Sequence, residues 1–217
     1  MRKVIDLMYE DDALLVVNKP AGLLAVPGRG ADKQDCLSER VRSRFADAQI
    51  VHRLDMATSG LMLFARGVAM QSALNKAFAA REISKRYLAV VDGLLTLQMD
   101  SVEEWGTIDL PIAVDWPNRP LRIIDPVHGK PSITKWRPLN QDTNTCSTLL
   151  ELEPITGRSH QLRVHLRALG HPILGDRLYA SPAQQMRADR LLLHARSLGL
   201  RHPVSGALLS FESPAPF

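Results

Sequence analysis

HRLDMATSGLMLFA, residues 52–65, sets Arg53 and Asp55 two positions apart, just ahead of a Thr-Ser-Gly turn and an apolar run. Thr58, Ser59 and Gly60 must turn the chain, and residues 61–65 read as a strand. A charged pair at the entrance to a buried strand has two readings. Asp55 is a structural group, in an ion pair or capping its own turn as Asx residues do, or it is a loop carboxylate on a rigid scaffold, where chemistry is commonly carried.

Outward from that stretch, further β-type runs occur at 3–8, 13–18, 86–91, 133–136, 148–152, 196–200 and 207–211, and a short one at 50–54 leads into Asp55. Residues 140–144 (NQDTN) and 203–206 (PVSG) carry hairpin-loop chemistry, which makes their flanking strands antiparallel neighbours. Three helices are expected, at 37–45, 68–80 and 159–169. In the second, Met70, Ala73, Leu74, Ala77 and Phe78 share a face. In the third, Leu162, Leu166 and Leu169 share a face, with His160, Arg163 and Arg167 opposite and Val164 interrupting the polar side. Ser159 is placed to cap it. Strands dominate and do not alternate regularly with helices. The expectation is therefore an α+β fold: one domain over residues 1–217, with a mixed, largely antiparallel sheet flanked by a few helices and loops. The proline-rich stretch 111–131 is a linker or, since Trp116 punctuates it, a long functional loop.

A length of 217 residues suits one ordinary core, and 45% apolar with 23% charged residues is the balance of a soluble globular chain. Apolar runs such as 61–65 fall far short of the roughly twenty residues of a membrane helix. Asp6 stands where a signal peptide needs apolar residues. Cys36 and Cys146 are distant and lack paired spacing, which argues against a disulfide framework or thiolate metal site and fits the cytoplasm. The net charge of +4 is uneven: residues 155–202 hold eight Arg and two Asp, +6, which leaves −2 elsewhere, and they hold five of the seven histidines. Such a segment is a phosphate footprint or a solvated face. His160 and His165 lie five apart, about 140° around a helix, whereas a helical zinc pair uses a spacing of four, so no metal is expected. Tyr87, between Lys85 and Arg86, could stack a base while the cations meet phosphate, or half-bury in a strand.

These residues also carry a resemblance. HRLDMATSG (52–60) resembles the signature of the ribosomal large-subunit pseudouridine synthase A family, with every signature position filled. GRSHQLRVH (157–165) and LLLHA (191–195) resemble two further motifs of that family, KRYLA (85–89) holds its tyrosine, and NKPAGLLAVPG (18–28) matches near the start. DWPNRP (115–120) resembles the branch that acts on both large-subunit rRNA and a tRNA anticodon stem-loop.

The resemblance implies a catalytic domain with a central RNA-binding cleft, no separate N-terminal RNA-binding module and no cofactor. It implies isomerisation of uridine to pseudouridine in 23S-type rRNA and tRNA stem-loops, with the base flipped out of its stack. Asp55, Tyr87 and Arg163 are then the catalytic set. Asp55 is the nucleophile or the anionic stabiliser at the sugar, Arg163 keeps it ionised, and Tyr87 stacks on the uracil with its hydroxyl placed to move a proton. Arg53 fills the vacated stack, and Leu192 or Leu193 forms an apolar floor. Arg158, His160 and Arg167 join the RNA surface, and His52 is grouped with them while orienting the loop. Lys19 touches RNA or is a solvated turn lysine. A monomer is expected. The rivals are a glycosidase or nucleosidase, which usually needs a second carboxylate, and a noncatalytic RNA-binding module in which Asp55 is dispensable.

Overall fold

A computed structural model describes residues 4–97 and 105–217. In chain order the elements are β1 (Asp6–Glu10), β2 (Leu14–Lys19), α1 (Leu37–Arg42), β3 (Ala48–Ile50), β4 (Ser59–Arg66), α2 (Gly67–Ala79), β5 (Ser84–Asp92), β6 (Gly106–Asp109), β7 (Ile112–Val114), β8 (Arg122–Ile124), β9 (Ile133–Asp142), β10 (Ser147–Pro154), α3 (Gln161–Ala168), α4 (Pro182–Gln185), β11 (Leu193–Arg201) and β12 (Leu208–Glu212). The expected strands form, apart from the short run at 50–54, and Lys3, the first residue of the earliest, lies outside the described residues. The chain divides into two compact units: residues up to Lys85 with His194–Pro216, and Arg86–Leu193.

In the first unit β4 is the axis. It pairs antiparallel with β2 on one flank and, on the other, antiparallel with β3 at its end and parallel with β11 at its start, through His194–Ser59 and Ala195–Gly60. β1 extends the sheet beyond β2, and β12 pairs with β11. The mixed, largely antiparallel expectation holds. Residues 61–65 form an unbroken apolar run because both faces of β4 are covered. Leu61, Leu63 and Ala65 join Leu14 and Val16 in a layer closed by Leu74, Met70, Ala77 and Phe78 of α2. Met62 and Phe64 join Leu15 and Val17 under Leu37 and Val41 of α1. Each such fully buried aliphatic side chain contributes about 1.5–3 kcal/mol.

Two local expectations change here. The first helix stops at Arg42, and Phe45 returns to the core through a turn in which its N–H donates to the Val41 carbonyl at 2.8 Å. β3 ends at Ile50, so residues 51–55 are loop and not strand. The reason is visible on β4: the Leu63 N–H, one residue before the β3 ladder, donates to His52 Nε2 at 2.8 Å, so a side chain replaces the backbone partner.

In the second unit β10 pairs antiparallel with β5 and β9, and β9 with β6. The β9–β10 hairpin turns at residues 143–146, later than expected, because the Asp142 carboxylate accepts from the N–H groups of Asn144 and Thr145 and from the Thr145 hydroxyl. The stretch 111–131 is not a linker: β7 and β8 form a two-stranded hairpin within it. Ile112 of that hairpin packs with Val164 of α3 and with Tyr179.

Candidate active site

Asp55 is half-buried at the head of the turn into β4. The turn is closed by backbone, with Thr58 N–H donating to the Asp55 carbonyl at 3.1 Å. Leu54 is buried and Arg53 exposed, so the loop is pinned by one side chain and presents the guanidinium beside it. Three devices hold this loop. Lys19 donates through Nζ to the carbonyls of Pro20, Leu23 and Met56 at 2.9, 2.7 and 3.0 Å, and Met56 is the residue next to Asp55. His52 takes the Leu63 N–H and lies 4.9 Å from the Phe78 ring, with burial and then Lys85 pushing its imidazole down to about 3. Ser59 and His194 form the third. His194 Nε2–H donates to the Ser213 carbonyl at 3.1 Å, which leaves Nδ1 to accept from the Ser59 hydroxyl at 2.8 Å. Gly60, at φ +115, sits so close to β11 that a Cβ would stand 2.3 Å from the Ala195 carbonyl oxygen. The glycine of the signature is there because no other residue admits that approach.

Lys19 therefore neither touches RNA nor lies solvated. It is fully buried, and its ammonium meets carbonyls of its own chain. His52 ties the loop to β4 by accepting the Leu63 N–H at 2.8 Å.

In the second unit α3 begins at Gln161 with His160 as its N-cap residue, in the left-handed region at φ 59 and without a side-chain cap bond. Ser159 does not cap it. The turn is closed instead by Gln161, whose Oε1 accepts from Thr156 Oγ1 at 2.7 Å and Arg158 N–H at 3.0 Å. The two faces of α3 do not sort by polarity: Gln161, Arg163 and His165 are buried, while Leu169, expected on the apolar face, is exposed. Each buried polar group has a partner from a distant element, as burial demands. His165 Nε2–H donates to the Leu110 carbonyl, its Nδ1 meets Thr134 Oγ1, and burial pulls its pKa below the usual value. Arg163 forms a two-pronged bond to Asp176, Nε to Oδ2 at 2.8 Å and Nη2 to Oδ1 at 2.6 Å. Asp176 is fully buried, and its Oδ1 also accepts from the N–H groups of Leu178 and Tyr179. The Tyr179 ring lies 5.0 Å from the Arg163 guanidinium carbon. Tyr179 Oη accepts the Arg122 N–H at 2.9 Å and donates to His160 Nδ1 at 2.6 Å. His160 and Arg163 are thus brought together through Tyr179.

Tyr87 is half-buried in β5 opposite Leu152 of β10. Its flanking cations are engaged elsewhere: Arg86 pairs with Glu153 at 2.7 Å and lies over Trp105, and Lys85 lies over Phe78. Leu193 is core and Leu192 half-buried. Arg158 and Arg167 are exposed at either end of α3. Part of the arginine-rich segment is therefore spent internally, Arg163 on Asp176 and Arg187 on Asp92. Asp176, Tyr179, Ser59 and His194 were not singled out from sequence. Ser59 and His194 stand inside quoted motifs, while nothing in the spacing marks Asp176. Among the described residues no three His, Cys, Asp or Glu gather as a metal site requires, and no helix is long and apolar enough to cross a membrane.

The profile of the RNA pseudouridylate synthase family matches residues 13–168. The chain is 47% identical over 215 residues to the dual-specificity RNA pseudouridine synthase RluA of Vibrio parahaemolyticus, covering 98% of this chain and 84% of that one. It is 46% identical over 211 residues to the protein of the same name from Escherichia coli K12, covering 97% and 93%. Among solved structures, human RNA pseudouridylate synthase domain containing 1 superposes with a TM-score of 0.79 at 29% identity, covering 100% of this chain and 86% of that one. Human RNA pseudouridylate synthase domain containing 4 does so with a TM-score of 0.73 at 25% identity, covering 97% and 88%. A buried two-sided β4, an Asp55 loop locked to it and a match of this extent have one common explanation: the chain belongs to the RNA pseudouridylate synthase family.

Proposed function

We propose that this protein isomerises uridine to pseudouridine in 23S-type large-subunit rRNA and in a tRNA anticodon stem-loop, working in the cytoplasm as a monomer. The observation that carries the reading is the near-half identity, across almost the whole chain, to synthases named for dual specificity. In the reaction the bond from C1′ to N1 breaks, the base turns, and C1′ joins C5. The C5 hydrogen leaves as a proton and N1 gains one. No atom or electron pair is gained overall, so the chemistry needs neither oxidant nor energy source.

Asp55 is the catalytic carboxylate acting at the sugar; Arg163, whose guanidinium Asp176 holds, and Tyr87, stacking on the extruded uracil, complete the catalytic set. Arg53, exposed beside Asp55, supplies a planar guanidinium to fill the vacated stack. Leu192 or Leu193 supplies the apolar floor under the base, and the half-burial of Leu192 against the full burial of Leu193 supports the former. Arg158 and Arg167 carry exposed charge for phosphate.

Asp55→Asn keeps shape and removes charge. It is expected to abolish release of the C5 hydrogen from substrate RNA while the protein still melts and binds RNA like the parent. Parent-level turnover in that variant would remove Asp55 from the chemistry. Liberation of free uracil by the parent would mark a nucleosidase instead.

A further inference from the structure

The β7–β8 hairpin displays an indole that its own fold does not use. Trp116 is 66% exposed, whereas Trp136 is 7% exposed and Trp105 has the guanidinium carbons of Arg86 and Arg137 at 4.5 and 4.7 Å from its ring centre. Trp116 is covered on one side, by Arg119, whose guanidinium carbon lies 4.8 Å from the ring centre. The tip that holds the ring is preformed. The Asp115 carboxylate accepts from the Asn118 N–H at 3.3 Å and from its amide nitrogen at 3.1 Å. Asp115 N–H donates to the Leu121 carbonyl, and Leu121 N–H to the Asn118 carbonyl, at 3.1 and 3.0 Å.

Charge in this segment is sorted in the same way. Asp115 and Asp125 are both spent on turns, the second accepting from the N–H groups of Val127 and His128 at 3.0 Å. The cations of the same stretch, Arg119, Arg122 and Lys130, have no carboxylate partner among the described residues; the Arg122 guanidinium donates to the carbonyls of Pro120 and Leu121 at 3.2 and 3.1 Å, and Arg158 reaches the Pro131 carbonyl at the edge. An ordered aromatic ring beside uncompensated guanidinium groups fits a nucleobase on the ring and phosphate on the cations. It fits a run of acidic side chains less well, since Asp and Glu meet the cations but offer no ring to stack on the indole. The tip is also tied to α3: Arg122 N–H donates to Tyr179 Oη, and the Tyr179 ring backs Arg163.

We infer that Trp116, with Arg119, is a stacking platform for an unpaired RNA base other than the one that reacts, and so helps select which loops are accepted. This rests on the reading of the protein as an enzyme acting on RNA.

The test compares the full chain with Trp116→Ala and Trp116→Phe on a stem-loop RNA whose loop carries unpaired bases around the target uridine. Loss of one base stack corresponds to about a ten-fold weakening. Trp116→Ala should raise Kd and KM about ten-fold, with the effect on KM and not kcat, and Trp116→Phe should restore most of it. RNA should quench the parent's tryptophan emission, and most of that quenching should vanish in Trp116→Ala, where Trp105 and Trp136 remain. An unchanged Kd in Trp116→Ala, or an effect confined to self-association or protein capture, overturns the inference. If the parent forms no pseudouridine yet the Kd and quenching effects appear, the platform stands and the catalytic reading falls.

Discussion

Lys19 in the first unit and Arg163 in the second are both buried cations, and they are satisfied by opposite means. Lys19 meets neutral acceptors: the carbonyls of Pro20, Leu23 and Met56. Arg163 meets the carboxylate of Asp176 in a planar two-pronged bond. The choice follows the shape of each head group. An ammonium projects three donors along diverging directions and can gather carbonyls from separate segments, whereas a guanidinium is a flat fork that matches a carboxylate. The consequence differs too. Lys19 immobilises the backbone beside Asp55 through the Met56 carbonyl. Asp176 immobilises the head group of Arg163 itself. One region is positioned through its main chain, the other through a charge, and the two should fail differently.

The sharpest break of that comparison is Asp176→Asn, which retains volume and hydrogen bonding but neutralises a fully buried partner. Removing the carboxylate from this buried pair is expected to cost about 3–5 kcal/mol. For a chain of this size that lowers Tm by about 10 °C. Because Arg163 loses its fixed orientation, kcat should fall at least about a hundred-fold, with RNA Kd changed far less. A Tm and kcat close to the parent's would show that charge does not position the helix.

Lys19→Met sets the opposite case. It keeps the aliphatic stem and leaves the Pro20, Leu23 and Met56 carbonyls without their shared donor. Each unsatisfied carbonyl costs about 1–3 kcal/mol where water cannot reach it; Pro20 and Met56 are exposed and can turn to water, so the loss is expected at the low end, about 3 kcal/mol, and below that of Asp176→Asn. The slackened Asp55 loop should lower kcat while RNA binding holds. Lys19→Arg should not rescue it, since a planar fork cannot reproduce the three directions. Full rescue by arginine would show that only the charge matters.

These two cations also show where sequence reasoning reached and where it stopped. Local patterns were legible: residues 61–65 gave β4, the face of Met70, Leu74, Ala77 and Phe78 gave α2, and the turn chemistry around 203–206 gave the last hairpin. Asp55 stood out because a carboxylate before a forced turn is a local feature. Lys19 did not, because its burial depends on Met56, 37 residues away, and a lysine before Pro-Ala-Gly otherwise reads as surface. The helical wheel of α3 separates His160, Arg163 and Arg167 from the leucines but does not show that Arg163 and His165 are interior. Only the partners Asp176, Thr134 and Leu110 make that side an interior, and those lie up to 55 residues off. Periodicity reports which residues share a face, and it says nothing of what a distant segment brings to that face.

The first unit carries a further signature, in pH. His52 is held neutral, its pKa pushed down to about 3 mainly by burial, against about 6.5 in an unfolded chain. The unfolded state therefore binds the extra proton between those values. The stabilisation is complete above the unfolded value and is lost as pH falls through the window, by roughly 2 kcal/mol at pH 5. His165 pushes in the same direction. Replacing His52 with Gln, whose carbonyl can still accept the Leu63 N–H, should flatten the fall in Tm between pH 7 and pH 5 relative to the parent. Parallel curves for the two proteins would assign the acid sensitivity elsewhere.

The smallest effect sharpens the contrast between buried and surface arginine within α3 and its approach. Arg163 is 5% exposed at its side chain and internally paired, whereas Arg158 and Arg167 are exposed. A cation that meets phosphate releases a counterion on binding, so its loss removes about 0.7–0.9 from the slope of log K against log salt. Arg158→Gln and Arg167→Gln should each weaken RNA binding a few-fold at moderate salt, to a similar extent for stem-loops of different sequence, and each should flatten that slope by about one contact. Stability should stay within about 0.5 kcal/mol of the parent. Titrations across a salt series read both quantities at once. A parent-like slope in either variant would take that arginine off the RNA surface, while a large loss of stability would place it with Arg163 among the structural cations.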